Sequence, residues 1–314
     1  MQKNPKEFTL SLEAVEAIMK KHKLGELSTI RIVEKGLVNP MYEINGTYML
    51  RLHIREPHLL KLEKEAYVYK LVYRKSKGKI PVPKIIALDT SKTLLPCNHS
   101  IMNKIEGDDL DDVWQTMNEG ERKDICYQLG RVLAQLHAIE MKAFGGLVSG
   151  TITFKTWYAF IMHTYSYYLE NHKKYGIISK DLLKRIEERF KRDDYLLKIK
   201  TKPVLLHGDC QRENIKIKDG KIAGVFDFEW SIAGHNEFEF KSILSPSKKH
   251  KILQEEVMKG YESITPLSPE FPQRVKLYII INCLDFLEAA HLHWEDDEER
   301  IQKYLGVIET QLQE

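Results

Sequence analysis

The spacing of apolar residues changes character along the chain. Leu12-Glu-Ala-Val-Glu-Ala-Ile-Met19 has the 3.6-residue rhythm of an amphipathic helix. From Thr29 to Ile105 short strand-like runs dominate, with one helical stretch near Glu63. Helical periodicity takes over from Glu121 onward and is interrupted by a hairpin pattern at Asn214. The chain contains no internal repeat, low-complexity tract or long Pro/Gly linker, and the one boundary the pattern suggests is a short crossing near 103–107.

The hairpin carries the most information. Asn214-Ile-Lys-Ile-Lys218 and Lys221-Ile-Ala-Gly-Val-Phe-Asp227 flank Asp219-Gly220, a dipeptide favoured in two-residue turns. Counting back from that turn pairs Lys218 with Lys221 and sets Asn214 opposite Val225. Alternation then places Asn214, Val225 and Asp227 on one face, and Ile215, Ile217, Ile222, Phe226 and Phe228 on the buried one. As diagonal neighbours, Asn214 and Asp227 are expected about 7 Å apart at Cβ. Two oxygen donors at that separation suit one hard cation such as Mg²⁺, which completes its shell with water and phosphate oxygens. Asp209 falls in the turn before the hairpin, after the apolar run Val204-Leu-Leu206, where a base can meet an acceptor hydroxyl.

Composition narrows the class. The 314 residues are 43% hydrophobic and 30% charged, the balance of a globular protein large enough for two lobes. A net charge of +3 gives no case for nucleic acid, and the basic runs Arg74–Lys79 and Lys248–Lys251 read as solvated loops. Cys97, Cys126, Cys210 and Cys283 lack paired metal spacing and are expected as free thiols in a reducing compartment. With no secretory apolar core at Met1–Glu7 and no run of about twenty apolar residues, the expectation is a cytoplasmic protein without a membrane span.

The run His207-Gly208-Asp209-Cys-Gln-Arg-Glu-Asn214, followed by Asp227-Phe228-Glu229, resembles the signature of the aminoglycoside phosphotransferase family. That family includes choline, homoserine and methylthioribose kinases and shares its fold with protein kinases. The five-residue step from Asp209 to Asn214 matches the kinase catalytic loop. The resemblance implies an α+β, two-lobed protein-kinase-like fold. Residues 1–103 form a small β-rich nucleotide-binding N-lobe, and 104–314 a larger, mainly helical C-lobe with the catalytic loop and acceptor-binding helices. It makes Asp209 the catalytic base or hydroxyl-orienting residue, Asn214 and Asp227 the Mg²⁺ ligands, and His207 a support for the loop.

The likeness extends along most of the chain. Arg51, in Tyr48-Met-Leu-Arg-Leu-His53, matches the strand residue that grips nucleotide phosphates, and Glu65 the helix carboxylate that orients it. Ser100-Ile-Met-Asn103-Lys-Ile105-Glu-Gly107 resembles the hinge, so the backbones of Asn103 and Ile105 are expected to meet adenine. Departures are Arg51 in place of Lys, a single glycine in Glu34–Met41 where a glycine-rich loop is usual, Glu229 as third residue of its motif, and His235-Asn236 for Asp-Pro.

The implied reaction is transfer of the γ-phosphate of ATP or GTP to a hydroxyl of a small acceptor such as an aminoglycoside, amino alcohol or sugar. Asp285, Glu288 and Trp294, on the helical stretch Tyr278–Trp294, are candidate acceptor-binding residues for a cationic acceptor; the alternative is a solvated acidic helix end. Trp157, Tyr158, Tyr165, Tyr167 and Tyr168 form an aromatic-rich helix that is either core or pocket wall. His137 reads as a packed, hydrogen-bonded histidine, and Arg212 as either a phosphate contact or a solvent-facing loop residue. Two rival readings are a silent kinase-like nucleotide-binding module, against which the intact Asp209, Asn214 and Asp227 argue, and a protein kinase, against which the lack of an Ala-Pro-Glu sequence after Asp227 argues.

Overall fold

The computed structural model describes residues 10–33, 39–54, 60–245, 252–293 and 298–313. Its first elements are α1 (Leu12–His22), β1 (Ile30–Val33), β2 (Met41–Ile44), β3 (Tyr48–His53), α2 (Lys61–Ser76), β4 (Ile85–Asp89), β5 (Asn98–Asn103), β6 (Asp108–Asp109) and α3 (Leu110–Val113). Then come α4 (Glu119–Leu136), β7 (Phe144–Gly145), β8 (Thr153–Phe154), α5 (Trp157–Tyr175), α6 (Lys180–Arg192), β9 (Val204–Leu206), β10 (Ile215–Lys218), β11 (Lys221–Val225) and β12 (Ile232–Gly234). The chain closes with α7 (Phe240–Ile243), α8 (Gln254–Glu262), α9 (Phe271–His293) and α10 (Glu298–Leu312). Two compact units result, Met1–Asp112 with Asn214–Ser231, and Val113–Glu213 with Ile232–Glu314.

In the first unit an antiparallel sheet runs in the order β1-β2-β3-β5-β4. Strand alternation splits β3 between two faces. Leu50 and Leu52 join Ile101 and the α1 residues Val15, Ile18 and Met19 in one apolar core, while Arg51 points the other way, to Glu65 on α2. Ser11 caps α1 by accepting from the Ala14 N–H, and the acidic first turn and basic last turn suit the helix dipole.

The expected hairpin forms, with one correction. Lys218 pairs with Lys221 and Ile217 with Ile222, but Lys216 pairs with Gly224 and Ile215 with Val225. Ala223 is therefore an extra residue in β11, a β-bulge that advances the register by one. Asn214 faces Phe226, whose N–H donates to the Asn214 carbonyl at 2.9 Å, instead of Val225. Val225 moves to the buried side with Ile215. The glycine after the bulge leaves no room for a side chain, since a Cβ on Gly224 would lie 2.5 Å from the Phe226 ring. β6 pairs with the free side of β10 to complete a small three-stranded sheet.

The second unit is helical around a short antiparallel sheet, β8-β7-β12-β9. Trp157 is fully buried and donates from Nε1 to the Tyr278 hydroxyl at 2.9 Å, joining α5 to α9. The pairing of α4 with α8 depends on two glycines, because a Cβ on Gly130 would sit 2.0 Å from the Val257 carbonyl oxygen and one on Gly260 2.0 Å from that of Tyr127. Gly130→Ala must push these helices apart. A loss of about 1–3 kcal/mol is expected in chemical denaturation, with no change in the m-value. Among the described residues no helix is long and apolar enough to cross a membrane.

Candidate active site

A connected chain of polar groups runs through the first unit from β3 to the end of the hairpin. Arg51 donates from Nη1 to both Glu65 carboxylate oxygens at 2.7 and 2.6 Å. The Tyr69 hydroxyl, one helical turn after Glu65, donates to Glu65 Oε1 at 2.9 Å and accepts from the Asp227 N–H at 3.1 Å. Burial opposes the charge on Arg51, but Glu65, Asp227 and Glu229 outweigh it, so the guanidinium is held above its ordinary range. Glu65 is lifted by the same burial while Arg51 pulls it back.

Beside this chain Glu229 lies 3.6 Å from Arg51 Nη2 and 3.7 Å from Lys61 Nζ. Lys61 also stacks its ammonium 4.5 Å over the Trp230 ring. Burial pushes Lys64 down to about 8, with Glu229 opposing that shift. Arg51, Lys61 and Lys64 thus crowd one carboxylate, a charge arrangement able to take up phosphate. Lys61, Lys64 and Tyr69 were not apparent from the sequence; the four-residue step from Glu65 to Tyr69 on a helix was the signal available for the tyrosine.

Asp227 is held in an unusual way. Its backbone is left-handed, with φ of 60° and ψ of 64°, a conformation that costs energy in any non-glycine residue and is tolerated best by Asp and Asn. Its Oδ1 is buried and has no hydrogen-bond partner. Asn214, also buried, ends a short 3₁₀ turn immediately before β10. A carboxylate oxygen with no internal partner and a carboxamide oxygen are the hard donors that Mg²⁺ accepts.

In the second unit the loop after β9 hangs on a buried carboxylate that sequence reasoning missed. Glu239 accepts from the His207 N–H at 2.6 Å and the Gly208 N–H at 2.9 Å, and its Oε2 lies 3.2 Å from His137 Nε2. The other ring nitrogen of His137 is 2.8 Å from the Tyr261 hydroxyl, so this histidine is packed and bonded as its helix position suggested. His207 is fully buried, and its Nδ1 accepts from the Asp209 N–H at 3.3 Å, which bends the loop at Gly208, where φ is +86°. Asp209 is half-exposed and receives a hydrogen bond from Gln211 Nε2 at 2.6 Å. Nothing near the His-Gly-Asp motif pointed to Glu239, which lies 32 residues beyond His207.

Burial raises Glu239, but His137 and the Gly208 N–H overcome it and bring its pKa down to about 2. A carboxylate whose folded-state pKa is depressed adds stability that is present above its ordinary 4.5 and is lost as pH falls toward about 2. Glu239→Gln is therefore expected to cost roughly 3 kcal/mol at neutral pH. It should also flatten the acid limb of stability against pH, and a parallel limb in wild type and variant would deny Glu239 this role.

Arg212 is buried, not solvent-facing, with its guanidinium 4.7 Å over the Trp114 ring. The Asn103 N–H donates to the Lys84 carbonyl at 3.2 Å and its side chain accepts from the Lys84 N–H at 2.6 Å, so this residue ties β5 to the start of β4. Ile105 follows in the same stretch, its side chain 3.1 Å from where a Gly224 Cβ would stand. Glu288 is buried on α9 and accepts from Asn171 Nδ2 at 2.6 Å, and Asp285, raised by burial, is bonded by Tyr168; neither is a solvated helix end. Trp294 and most of Glu34–Met41 lie outside the described residues. On α5, Trp157 and Tyr165 are core, whereas Tyr167 is exposed.

The model of the phosphotransferase enzyme family matches residues 29–265, most of the chain and every element from β1 to α8. The chain belongs to that family. Among solved structures, aminoglycoside phosphotransferase APH(2'')-Ib bound to ADP shares 17% identity at a TM-score of 0.69, over 96% of this chain and 98% of that one. The streptomycin–ATP complex of APH(2'')-IIa shares 17% at 0.69, over 97% and 98%. A putative fructosamine-3-kinase from Thermobifida fusca shares 16% at 0.68, over 95% and 100%. No curated protein matches the sequence. At such identities the structures establish the fold, an α+β fold with a β-sheet N-terminal region and a helical C-terminal region, as the motif resemblance implied. Arg51, which the sequence resemblance sets where Lys is usual, is paired with Glu65.

Proposed function

We propose that this protein is a small-molecule kinase, transferring the γ-phosphate of ATP or GTP to a hydroxyl of a small acceptor in a Mg²⁺-dependent reaction. The observation that carries the reading is the chain Arg51–Glu65–Tyr69–Asp227, which links a fixed cation to a carboxylate whose Oδ1 has no partner of its own. In this reading Arg51, oriented by Glu65, binds the nucleotide phosphates, with Lys61 and Lys64 adding positive charge nearby. The backbone around Asn103 and Ile105 takes the adenine or guanine base. Asn214 and Asp227 hold the metal, which when bound neutralises charge on the phosphate oxygens. Asp209, kept in place by Gln211 and by the loop that Glu239 and His207 anchor, orients the acceptor hydroxyl and accepts its proton. A loose phosphoryl transition state needs positioning and charge stabilisation more than covalent chemistry, which suits a site built from fixed side chains.

The acceptor is the open term. Asp285 and Glu288 are candidates for holding an ammonium group of an aminoglycoside or amino alcohol, with α5 as the neighbouring wall. The test is transfer of labelled phosphate from ATP and GTP, with Mg²⁺, across aminoglycosides, amino alcohols and sugars, with Asp209→Asn beside the wild type. Label in one acceptor that disappears in the variant supports both reaction and class. Failure to bind nucleotide at all would reject the kinase reading.

A further inference from the structure

A second group of potential ligands lies in the first unit, on residues with no part in the reaction proposed above. His22 ends α1, Asp89 ends β4 and His99 lies on β5. One donor atom from each falls within 4.8 Å of the other two. His99 pairs in register with Leu52 and with Asp89, which puts it on the sheet face that α1 covers. It is 1% exposed and only a backbone group of Cys97 approaches its ring, so at least one ring nitrogen is left without a hydrogen-bond partner, and His22 Nε2 is likewise buried and unpartnered. A buried polar atom left unbonded costs about 1–3 kcal/mol, so two such imidazole nitrogens beside one carboxylate are a costly arrangement unless something binds there.

We propose that His22, Asp89 and His99 bind a divalent cation of the zinc class, with water as the fourth ligand. Two imidazole nitrogens and one carboxylate oxygen are a borderline-soft donor set that suits Zn²⁺ and disfavours Mg²⁺ or Ca²⁺. Bonds of about 2.1 Å in a tetrahedron put ligand atoms roughly 3.4 Å apart, so donors within 4.8 Å of one another close by at most about 1.4 Å on binding. His22, at the last position of its helix, can supply most of that movement.

Asp89 has limited capacity left. Its Oδ1 accepts from the Ser91 N–H at 2.8 Å and the Ser91 hydroxyl at 2.6 Å, while Oδ2 accepts from Lys21 Nζ at 2.6 Å. One lone pair on Oδ2 therefore remains for a metal. The Lys21 ammonium competes for that oxygen, and with its side chain 43% exposed it can withdraw to solvent when the cation arrives. Lys21 thus sets the affinity without being a ligand. A bound ion would tie the end of α1 to β4 and β5.

The full chain, stripped with a chelator, is titrated with ZnCl₂ by calorimetry and with CoCl₂ by visible absorption, in the absence of nucleotide. One equivalent of Zn²⁺ and the intense absorption of tetrahedral Co²⁺ are expected. His22→Gln, at a partly exposed helix end, should weaken binding at least about tenfold, and Lys21→Gln should tighten it. Both variants should keep the wild-type circular dichroism. His99→Gln provides a second ligand deletion if it folds. Absence of stoichiometric binding, or a Zn²⁺ affinity that His22→Gln and Lys21→Gln leave unchanged, overturns the site and leaves the two histidines as core residues.

Discussion

Asp209→Asn should lower turnover by about 10²–10⁴-fold while nucleotide affinity stays close to that of the wild type. The substitution is nearly isosteric, and its remaining oxygen can still accept from Gln211, which bonds Asp209 Oδ1 at 2.6 Å. The loop itself is anchored elsewhere, by Glu239 on the His207 and Gly208 N–H groups, so the variant should fold. On the proposed reading, what is lost is the basicity of the carboxylate and its charge beside the acceptor hydroxyl. Steady-state phosphate transfer measured beside a nucleotide titration separates these quantities. Turnover like that of the wild type would remove Asp209 from its role.

Asp227→Asn should abolish the Mg²⁺ dependence of nucleotide binding. Asparagine tolerates the left-handed backbone at φ 60° and keeps the N–H that donates to Tyr69, so the local fold survives. The charged oxygen without an internal partner is replaced by a neutral amide. Outer partners of metal ligands already affect metal affinity 10–100-fold, so loss of a ligand charge should cost at least roughly 100-fold. Titrations of nucleotide with Mg²⁺ and with a chelator give the answer, and equal Mg²⁺ enhancement in both proteins would reject the metal assignment.

Local signals in the sequence revealed much of the fold, and for physical reasons. The turn at Asp219-Gly220 encodes its own geometry, so the hairpin and its first pair, Lys218 with Lys221, follow from two residues. Alternation on β3 puts Arg51 opposite the apolar face, but its partner Glu65 was implied only by the family resemblance, because nothing local links a strand residue to a carboxylate 14 residues on. The bulge at Ala223 defeated the count beyond the first pairs, because counting from a turn assumes one residue against one. Gly224 inside a strand was the available sign of it. Glu239 escaped altogether, since a carboxylate that accepts backbone N–H groups 31 and 32 residues away leaves no spacing to detect. Asp285 and Glu288 looked like a solvated surface because their partners, Tyr168 and Asn171, lie on a different helix more than a hundred residues earlier.

The hold of Glu239 on His207 and Gly208 also bears on motion. Those two amide protons are bonded to a fully buried carboxylate, itself fixed from α4 through His137. Both protons exchange with solvent only when their hydrogen bonds to that carboxylate open. In deuterated water they should exchange as slowly as amides in the middle of α4, although they lie in a loop. Protection of that kind would mark the backbone that presents Asp209 as part of the rigid frame, not a mobile loop.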